Sequence, residues 1–217
     1  MASIINKIIK EEIESLKIPK DAKFILAVSG GPDSQCLLKA FPHIVGENQC
    51  LAIGIDHGLR AAAGQELELA EHLAEAKGVK FERVRVTVGD GPSVMAQARD
   101  ARYAALVEKA VEMGAKYIVT GHNSDDQAET VLIHLLRGDI PHKMEVARPL
   151  GQGVALFRPM LTISRFDILG YLKRWHVPFA EDPSNANPKY LRSWIRHELL
   201  PMMESRSPQI RKFLTRL

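Results

Sequence analysis

KFILAVSGGPDSQCLLKAFPHIV, residues 23–45, is the stretch on which the fold turns. Phe24 to Val28 is a short, unbroken apolar run bounded by turn residues, the pattern of a strand buried on both faces of a parallel sheet. Ser34 to Val45 reads as a helix. Between them stands Ser29-Gly30-Gly31-Pro32-Asp33-Ser34. The two glycines let the backbone take left-handed angles and pass close to a ligand. Successive amides at the head of the following helix then face an anion, assisted by the helix dipole. Strand, glycine turn and helix in that order predict a phosphate-binding loop, with Ser29, Gly30, Gly31, Pro32, Asp33 and Ser34 as its nucleotide-binding residues. The serines are expected to donate to phosphate, and Asp33 to orient Mg²⁺ or the loop itself. No lysine follows the glycines, which separates this loop from the G-x-x-x-x-G-K-S/T loop of phosphoryl-transfer ATPases.

Working outward, the same alternation repeats. Upstream, residues 3–17 form an amphipathic helix. It lacks the continuous apolar centre and cleavage site of a secretory signal. Downstream, residues 49–56 read as a strand, 61–78 as a helix ended by Gly78, and 80–86 as a strand. A long helix covers 93–114, preceded by Pro92. A strand covers 116–121, a helix stopped by Gly138 covers 124–138, and a fifth strand lies within 154–160. This predicts an α/β fold, a doubly wound parallel five-stranded sheet with helices on both faces. Such sheets bind ligands beyond the carboxyl ends of their strands. The loop at 29–34, Asp56-His57 and Gly121-His122 each follow a predicted strand directly, so they converge on one edge. Asp56, His57 and Gly121 therefore join the nucleotide-binding candidates.

From residue 139 the pattern changes. Residues 139–153 read as a loop or hairpin, a helix follows Ser164, residues 181–190 are turn-rich, and short basic helices run to Leu217. The chain thus divides into a nucleotide-binding catalytic core, 1–138, and a basic C-terminal part, 139–217, that completes the site. Residues 1–136 carry 15 basic and 19 acidic side chains, whereas 137–217 carry 14 and 7. That asymmetry suggests that the last third faces a polyanion such as nucleic acid.

Of the 217 residues, 46% are hydrophobic and 25% charged, as a packed globular core requires. No stretch approaches the run of about 20 apolar residues that a membrane helix needs. Cys36 and Cys50, with no C-x-x-C spacing, read as buried free thiols and not as a metal site. These features point to the cytosol.

Gly121-His122-Asn123-Ser124-Asp125-Asp126-Gln127-Ala128-Glu129-Thr130 is the second decisive segment. On a helix starting near Ser124, Asp126 and Glu129 stand at i and i+3 and share a face. His122, just before the helix, reaches the same side. Acids in a first helical turn complement the dipole on their own. Clustered beside a phosphate loop, they point to a bound cation, either Mg²⁺ or an amine.

These segments carry a family resemblance. The loop is similar to the SGGxDS signature of the PP-loop ATP pyrophosphatases, which have an adenine nucleotide alpha hydrolase-like fold. Residues 121–130 resemble the GHHxDDQxET motif of the tRNA(Ile)-lysidine synthetases. Asp56 to Arg60 resembles their DHxLR, and Ala98 to Tyr103 their ARxxRY. Arg158-Pro159-Met160, Ser164-Arg165, Glu181 to Asn185 and Tyr190 to Arg196 echo RPLL, R, EDxSN and RNxIR. The match runs in order from about residue 23 to 201. It implies an ATP- and Mg²⁺-dependent ligase acting on a tRNA anticodon loop and free lysine. The wobble cytidine is adenylated at C2, and the lysine ε-amine then displaces AMP. It further implies Asp33, His122, Asp126, Glu129, Arg102 and Arg192 as catalytic residues and Asp33 as the metal ligand. Asp126 and Glu129 would hold the cationic lysine. Arg102, Arg192 and Arg196 are candidates for phosphate or for the lysine carboxylate. A homodimer is compatible with this reading, and no membrane is involved. Asn123 and Ser193 depart from the family's usual His and Asn, and the Gly-rich stretch expected after Gly138 is missing. A PP-loop tRNA thiolase and a non-catalytic adenine-nucleotide module are the alternatives.

Overall fold

Alternation within the decisive strand sets the layers. In β1 (Phe24–Val28), Phe24, Leu26 and Val28 enter one hydrophobic cluster and Ile25 enters another. The computed structural model describes residues 3–56, 63–87, 94–181 and 189–217. His57 to Arg60, Pro92 and Asp182 to Asn185, all singled out above, lie outside the described residues.

β2 (Cys50–Asp56) and β3 (Lys80–Arg85) lie on one side of β1, and β4 (Tyr117–Val119) lies on the other. β6 (Val154–Phe157) extends the parallel array beyond β4, and β5 (Ala147–Gly151) pairs antiparallel with β6. The order is β3-β2-β1-β4-β6-β5. The five expected parallel strands are present, and the edge strand is a sixth. Gly151, Gln152 and Gly153, with φ of 94°, 52° and 75°, make the tight reversal that folds β5 back on β6. Two glycines in that turn carry left-handed angles at little cost.

α1 (Ile4–Ser15), α2 (Pro32–Ala40), α4 (Ala63–Ala76) and α7 (Arg165–Arg174) cover one face of the sheet. α5 (Val94–Met113) covers the other through Tyr103, Leu106, Val107 and Ala110. The helix expected over 34–45 is divided: α3 (Pro42–Val45) begins at a proline that lacks the N–H to continue the ladder. α6 (Ser124–Arg137) ends at left-handed Gly138. It packs against α8 (Leu191–Trp194), a π-helical turn (Ile195–Leu199), α9 (Leu200–Arg206) and α10 (Ile210–Leu214). Ala128, Val131, Leu132, Ile195, Leu200 and Leu214 form that separate core. Each fully buried Ile or Leu contributes about 1.5–3 kcal/mol, enough for a small cluster to fix the C-terminal helices on α6.

The chain leaves β1 toward β2 on one side and reaches β4 on the other, so the β1/β4 boundary is the topological switch point. Among the described residues no helix is long and apolar enough to cross a membrane. Both cysteines are free, and burial pushes each thiol up to about 12.

Candidate active site

The loop after β1 is braced by its own serines. Ser34 Oγ donates to the Gly31 carbonyl at 2.9 Å and accepts from the Ser29 amide at 3.1 Å; Ser29 Oγ lies 3.3 Å away. Ser34 therefore holds the bend, where donation to phosphate was expected of it. The amides of Gly30, Gly31, Asp33 and Ser34 find no acceptor among the described residues. They head α2, whose first helical residue is Pro32, a position that needs no N–H. Gln35, wholly buried, donates to the carbonyls of Leu69 and Pro178, and the Ala180 amide donates to Gly30 O at 2.9 Å. These bonds fix the loop against its neighbours.

The two glycines differ in kind. Gly30 has φ +80°, and a Cβ there would sit 1.9 Å from the Glu66 carbonyl oxygen. The fold itself demands glycine. Gly31 has φ −72°, and a Cβ would meet only Ser29 Oγ at 3.6 Å. Nothing in the protein requires glycine at that point, so its open space suits the close approach of a phosphate. Across the switch point, a Cβ on Gly121 would come within 2.7 Å of the Asp33 carbonyl oxygen. Gly121 thus lets the end of β4 touch the phosphate loop.

Asp33 is clamped from two sides. Asn123 Nδ2 donates to its Oδ1 at 3.0 Å, and Arg165 Nη1 donates to its Oδ2 at 3.0 Å. Burial pushes its carboxyl up to about 6; Arg165 opposes the rise and Asp126 adds to it. Asn123 also starts α6. Its Oδ1 accepts from the amides of Asp125 and Asp126, while Asp126 Oδ2 accepts from the Asn123 amide. One asparagine therefore joins the phosphate loop to the acidic helix. Asp125 accepts the Arg165 amide at 2.9 Å and pairs with Arg211, locking the starts of α6 and α7 together.

Beyond Asp126 the acids meet arginines. Glu129 is 0% exposed; Arg196 Nε and Nη2 approach its two oxygens at 2.6 and 3.0 Å. Arg196 Nη2 also reaches Asp126 Oδ1 at 3.1 Å. Arg192 Nε lies 3.2 Å from Glu129 Oε2 but off the line of a hydrogen bond, and its Nη2 donates to Thr130 Oγ1 at 2.8 Å. Burial raises the Glu129 carboxyl while Arg196 pulls it down. Asp126 and Glu129 were expected to hold a cationic substrate as a carboxylate pair. In this structure Glu129 serves the arginines, and Asp126 is the more accessible member.

His122 is half-buried, with Nδ1 2.8 Å from Thr120 Oγ1. Burial lowers it to about 4, Asp126 acts against this, and Arg158, Arg102 and Arg192 reinforce it. The ring is neutral near pH 7. Arg102 sits beside Tyr103, with its guanidinium carbon 5.2 Å from the ring centroid. Asp56 ends β2 on the same sheet edge, and its carbonyl accepts the Val86 amide.

Sequence reasoning did not assign Arg165 to Asp33, nor Asn123 to the junction. The helix cap at Ser164 and the position of Asn123 before an acidic turn were visible. No local rule pairs residues 132 positions apart.

A family model for the PP-loop domain matches residues 1–203. The chain is 35% identical over 205 residues to the tRNA(Ile)-lysidine synthase of Burkholderia mallei, covering 92% of this chain and 42% of that protein. It is 38% identical over 201 residues to the tRNA(Ile)-lysidine synthase of Bordetella parapertussis, covering 88% and 58%. The chain spans about half the length of the curated relatives it matches. Among solved structures, the U34-tRNA thiolase NcsA from Methanococcus maripaludis superposes with a TM-score of 0.79 at 17% identity, over 98% of this chain and 76% of that one. A glutamine-dependent NAD+ synthetase from Acinetobacter baumannii superposes with a TM-score of 0.54 at 14% identity, over 78% and 31%. With the family model spanning the sheet, the glycine loop and the acidic helix alike, the chain belongs to the PP-loop domain family.

Proposed function

We propose that this chain ligates lysine to C2 of the wobble cytidine of tRNA(Ile), using ATP and releasing AMP and pyrophosphate. The observation that carries the reading is the 3.0 Å bond from Asn123 to Asp33, which sets a phosphate cradle directly beside the carboxylate of Asp126. The ordered motifs and the names of the relatives support the same substrates.

ATP phosphates suit the amides of Gly30, Gly31, Asp33 and Ser34 at the positive end of α2. A magnesium ion binds one or two carboxylates together with phosphate oxygens. Asp33, with Asp126 close enough to raise it, fits that donor set. The ion would neutralise charge on the departing pyrophosphate. Asp33 would hold such an ion with the carboxylate that Arg165 now meets at 3.0 Å. Residues 139–217 complete the site through Arg165, Arg192 and Arg196, all placed on acids of the first part. Asp126 receives the ammonium of the incoming lysine, and neutral His122 stands beside it without adding positive charge. Glu129 acts by holding Arg192 and Arg196 in place.

The thiolase alternative asks for reactive or metal-bound thiols. Cys36 and Cys50 are both buried and held protonated. A substrate of the proposed kind puts the chain in the cytoplasm. The test is mass spectrometry of a cytidine-wobble tRNA after incubation with ATP and lysine. A lysyl adduct on that cytidine, with AMP in equal amount, is expected. Unmodified tRNA, or replacement of oxygen by sulfur when a sulfur donor is present, would overturn the proposal.

A further inference from the structure

The fold brings Ala98 to Tyr103 on α5, which include the candidate Arg102, together with Arg158 just after β6. Arg158 is 4% exposed. Its Nη1 donates to the Glu145 carbonyl at 2.7 Å, but its Nε is buried without a hydrogen-bond partner. The Tyr103 hydroxyl is buried and unpartnered as well, in a residue 9% exposed. A buried polar group left without a partner is costly, so a ligand that satisfies it is favoured. The guanidinium carbons of Arg99 and Arg102 each stand 5.2 Å from the Tyr103 ring centroid. Burial lowers the proton affinity of Arg158, and Arg148 on β5 and Arg99 lower it further, while Tyr103 and Glu145 oppose the fall. No acidic side chain among the described residues forms an ion pair with any of these four arginines.

The cluster is graded. Arg99 and Arg148 are exposed, Arg102 is half-buried and Arg158 is buried, and the inner members reach the field of His122. Mutually repelling guanidiniums with orphaned donors at their centre describe a site for an oxyanion. A lone carboxylate would neutralise one charge of four, and a free amino acid would bring an ammonium that the cluster repels. A strand with repeated phosphates offers several anionic groups to the four guanidiniums. We propose that Arg99, Arg102, Arg148 and Arg158, with the Tyr103 hydroxyl, bind the phosphodiester backbone of the RNA strand as it approaches the nucleotide site. This rests on the RNA-modifying reading and adds to it the surface along which the RNA runs.

The test uses Arg99→Ala and Arg148→Ala in the whole chain, because both side chains are exposed. Fluorescence anisotropy follows binding of a labelled anticodon stem–loop, without ATP or lysine, across a salt series. Each phosphate contact contributes roughly 0.7–0.9 to the slope of log affinity against log salt. Each variant should flatten that slope by roughly this amount per contact, while calorimetric affinities for ATP and lysine stay unchanged. Arg99→Lys should restore the slope. An unaltered slope in both variants would overturn the proposal, as would an unmodified chain that binds no RNA. Weakened lysine binding with the slope intact would make the cluster a carboxylate site, and weakened ATP binding would make it part of the triphosphate site. Ligation assayed on the cytidine-wobble RNA separates the two readings: if the variants flatten the slope but the parent chain ligates no lysine to that RNA, the RNA track stands and the ligase assignment falls.

Discussion

Replacing Arg196 with methionine should destabilise the chain by about 3 kcal/mol at neutral pH, because it strips the partner from a carboxylate that water cannot reach. Glu129 is 0% exposed, and Arg196 supplies bonds of 2.6 and 3.0 Å to its two oxygens. Removing one member of a buried ion pair typically costs about 3–5 kcal/mol. The lower end applies because Arg192 remains 3.2 Å from Glu129 Oε2. For a chain of 217 residues, about 3 kcal/mol corresponds to a fall of roughly 6–12 °C in Tm. Urea denaturation followed by circular dichroism measures the free energy directly.

The sign with pH follows from burial. Glu129 already sits above its ordinary 4.5, and loss of Arg196 raises it further. A carboxyl raised in the folded state binds a proton that the unfolded chain has released. Its stabilising contribution is complete below about 4.5 and disappears as pH rises through the folded value. The Arg196→Met deficit should therefore be small in acid and grow toward neutrality. Adding Glu129→Gln removes the stranded charge and should restore more than half of the loss. A deficit below about 1 kcal/mol at pH 7, or a double variant no better than the single one, would show that Glu129 is not held by this pair.

Three further outcomes follow from the loop and its neighbours. Gly30→Ala should impair folding, since its Cβ lands 1.9 Å from Glu66 O at φ +80°, whereas Gly31→Ala should melt near the parent and lose ATP affinity tenfold or more, on the order of 1.4 kcal/mol, by isothermal calorimetry. Asp33 is held up to about 6, so metal-dependent pyrophosphate release should fall as pH drops through about 6, and Asp33→Asn should abolish the rate along with that acid limb. Asn123→Ser keeps a helix-capping oxygen but not the amide that meets Asp33; turnover should fall about tenfold with less than about 1 kcal/mol of stability lost, while Asn123→Ala should lose about 1 kcal/mol more.

The strands, the glycine loop and the acidic turn were legible because each is a local pattern. Phe24 to Val28 announces a buried strand, Gly138 and Gly78 stop helices, and a strand followed by Gly30-Gly31 marks a turn onto an anion. The edge strand β5 was harder to see: Arg148 and Pro149 face solvent, so they lack the apolar alternation of a half-buried strand. The different duties of the two glycines were also hidden, because Gly30 is fixed by a carbonyl on α4, 36 residues away. The acids of α6 were found, but their partners were not. Arg192, Arg196 and Arg211 come from elements placed by the packing of Ile195, Leu200 and Leu214 on α6, and Arg165 from α7, placed by the packing of Ile168 and Leu172 on the sheet-face core.

Those partners change the meaning of the charge asymmetry. An acidic first part and a basic last part suggested that the last third faces a polyanion. Four of its arginines are instead consumed inside the chain: Arg165 by Asp33, Arg192 and Arg196 by Glu129 with Asp126, and Arg211 by Asp125. Opposite charge on the two parts therefore first serves to dock one on the other, with the acids of α6 as the seam. An external polyanion must be met by arginines outside that seam, and the proposed cluster draws on both parts, Arg99 and Arg102 from the first and Arg148 and Arg158 from the last. Net charge by segment therefore does not by itself locate a partner: part of it is spent on contacts inside the chain. Under the RNA-binding proposal, arginines without a carboxylate partner among the described residues, and not net charge by segment, mark where the backbone would be held.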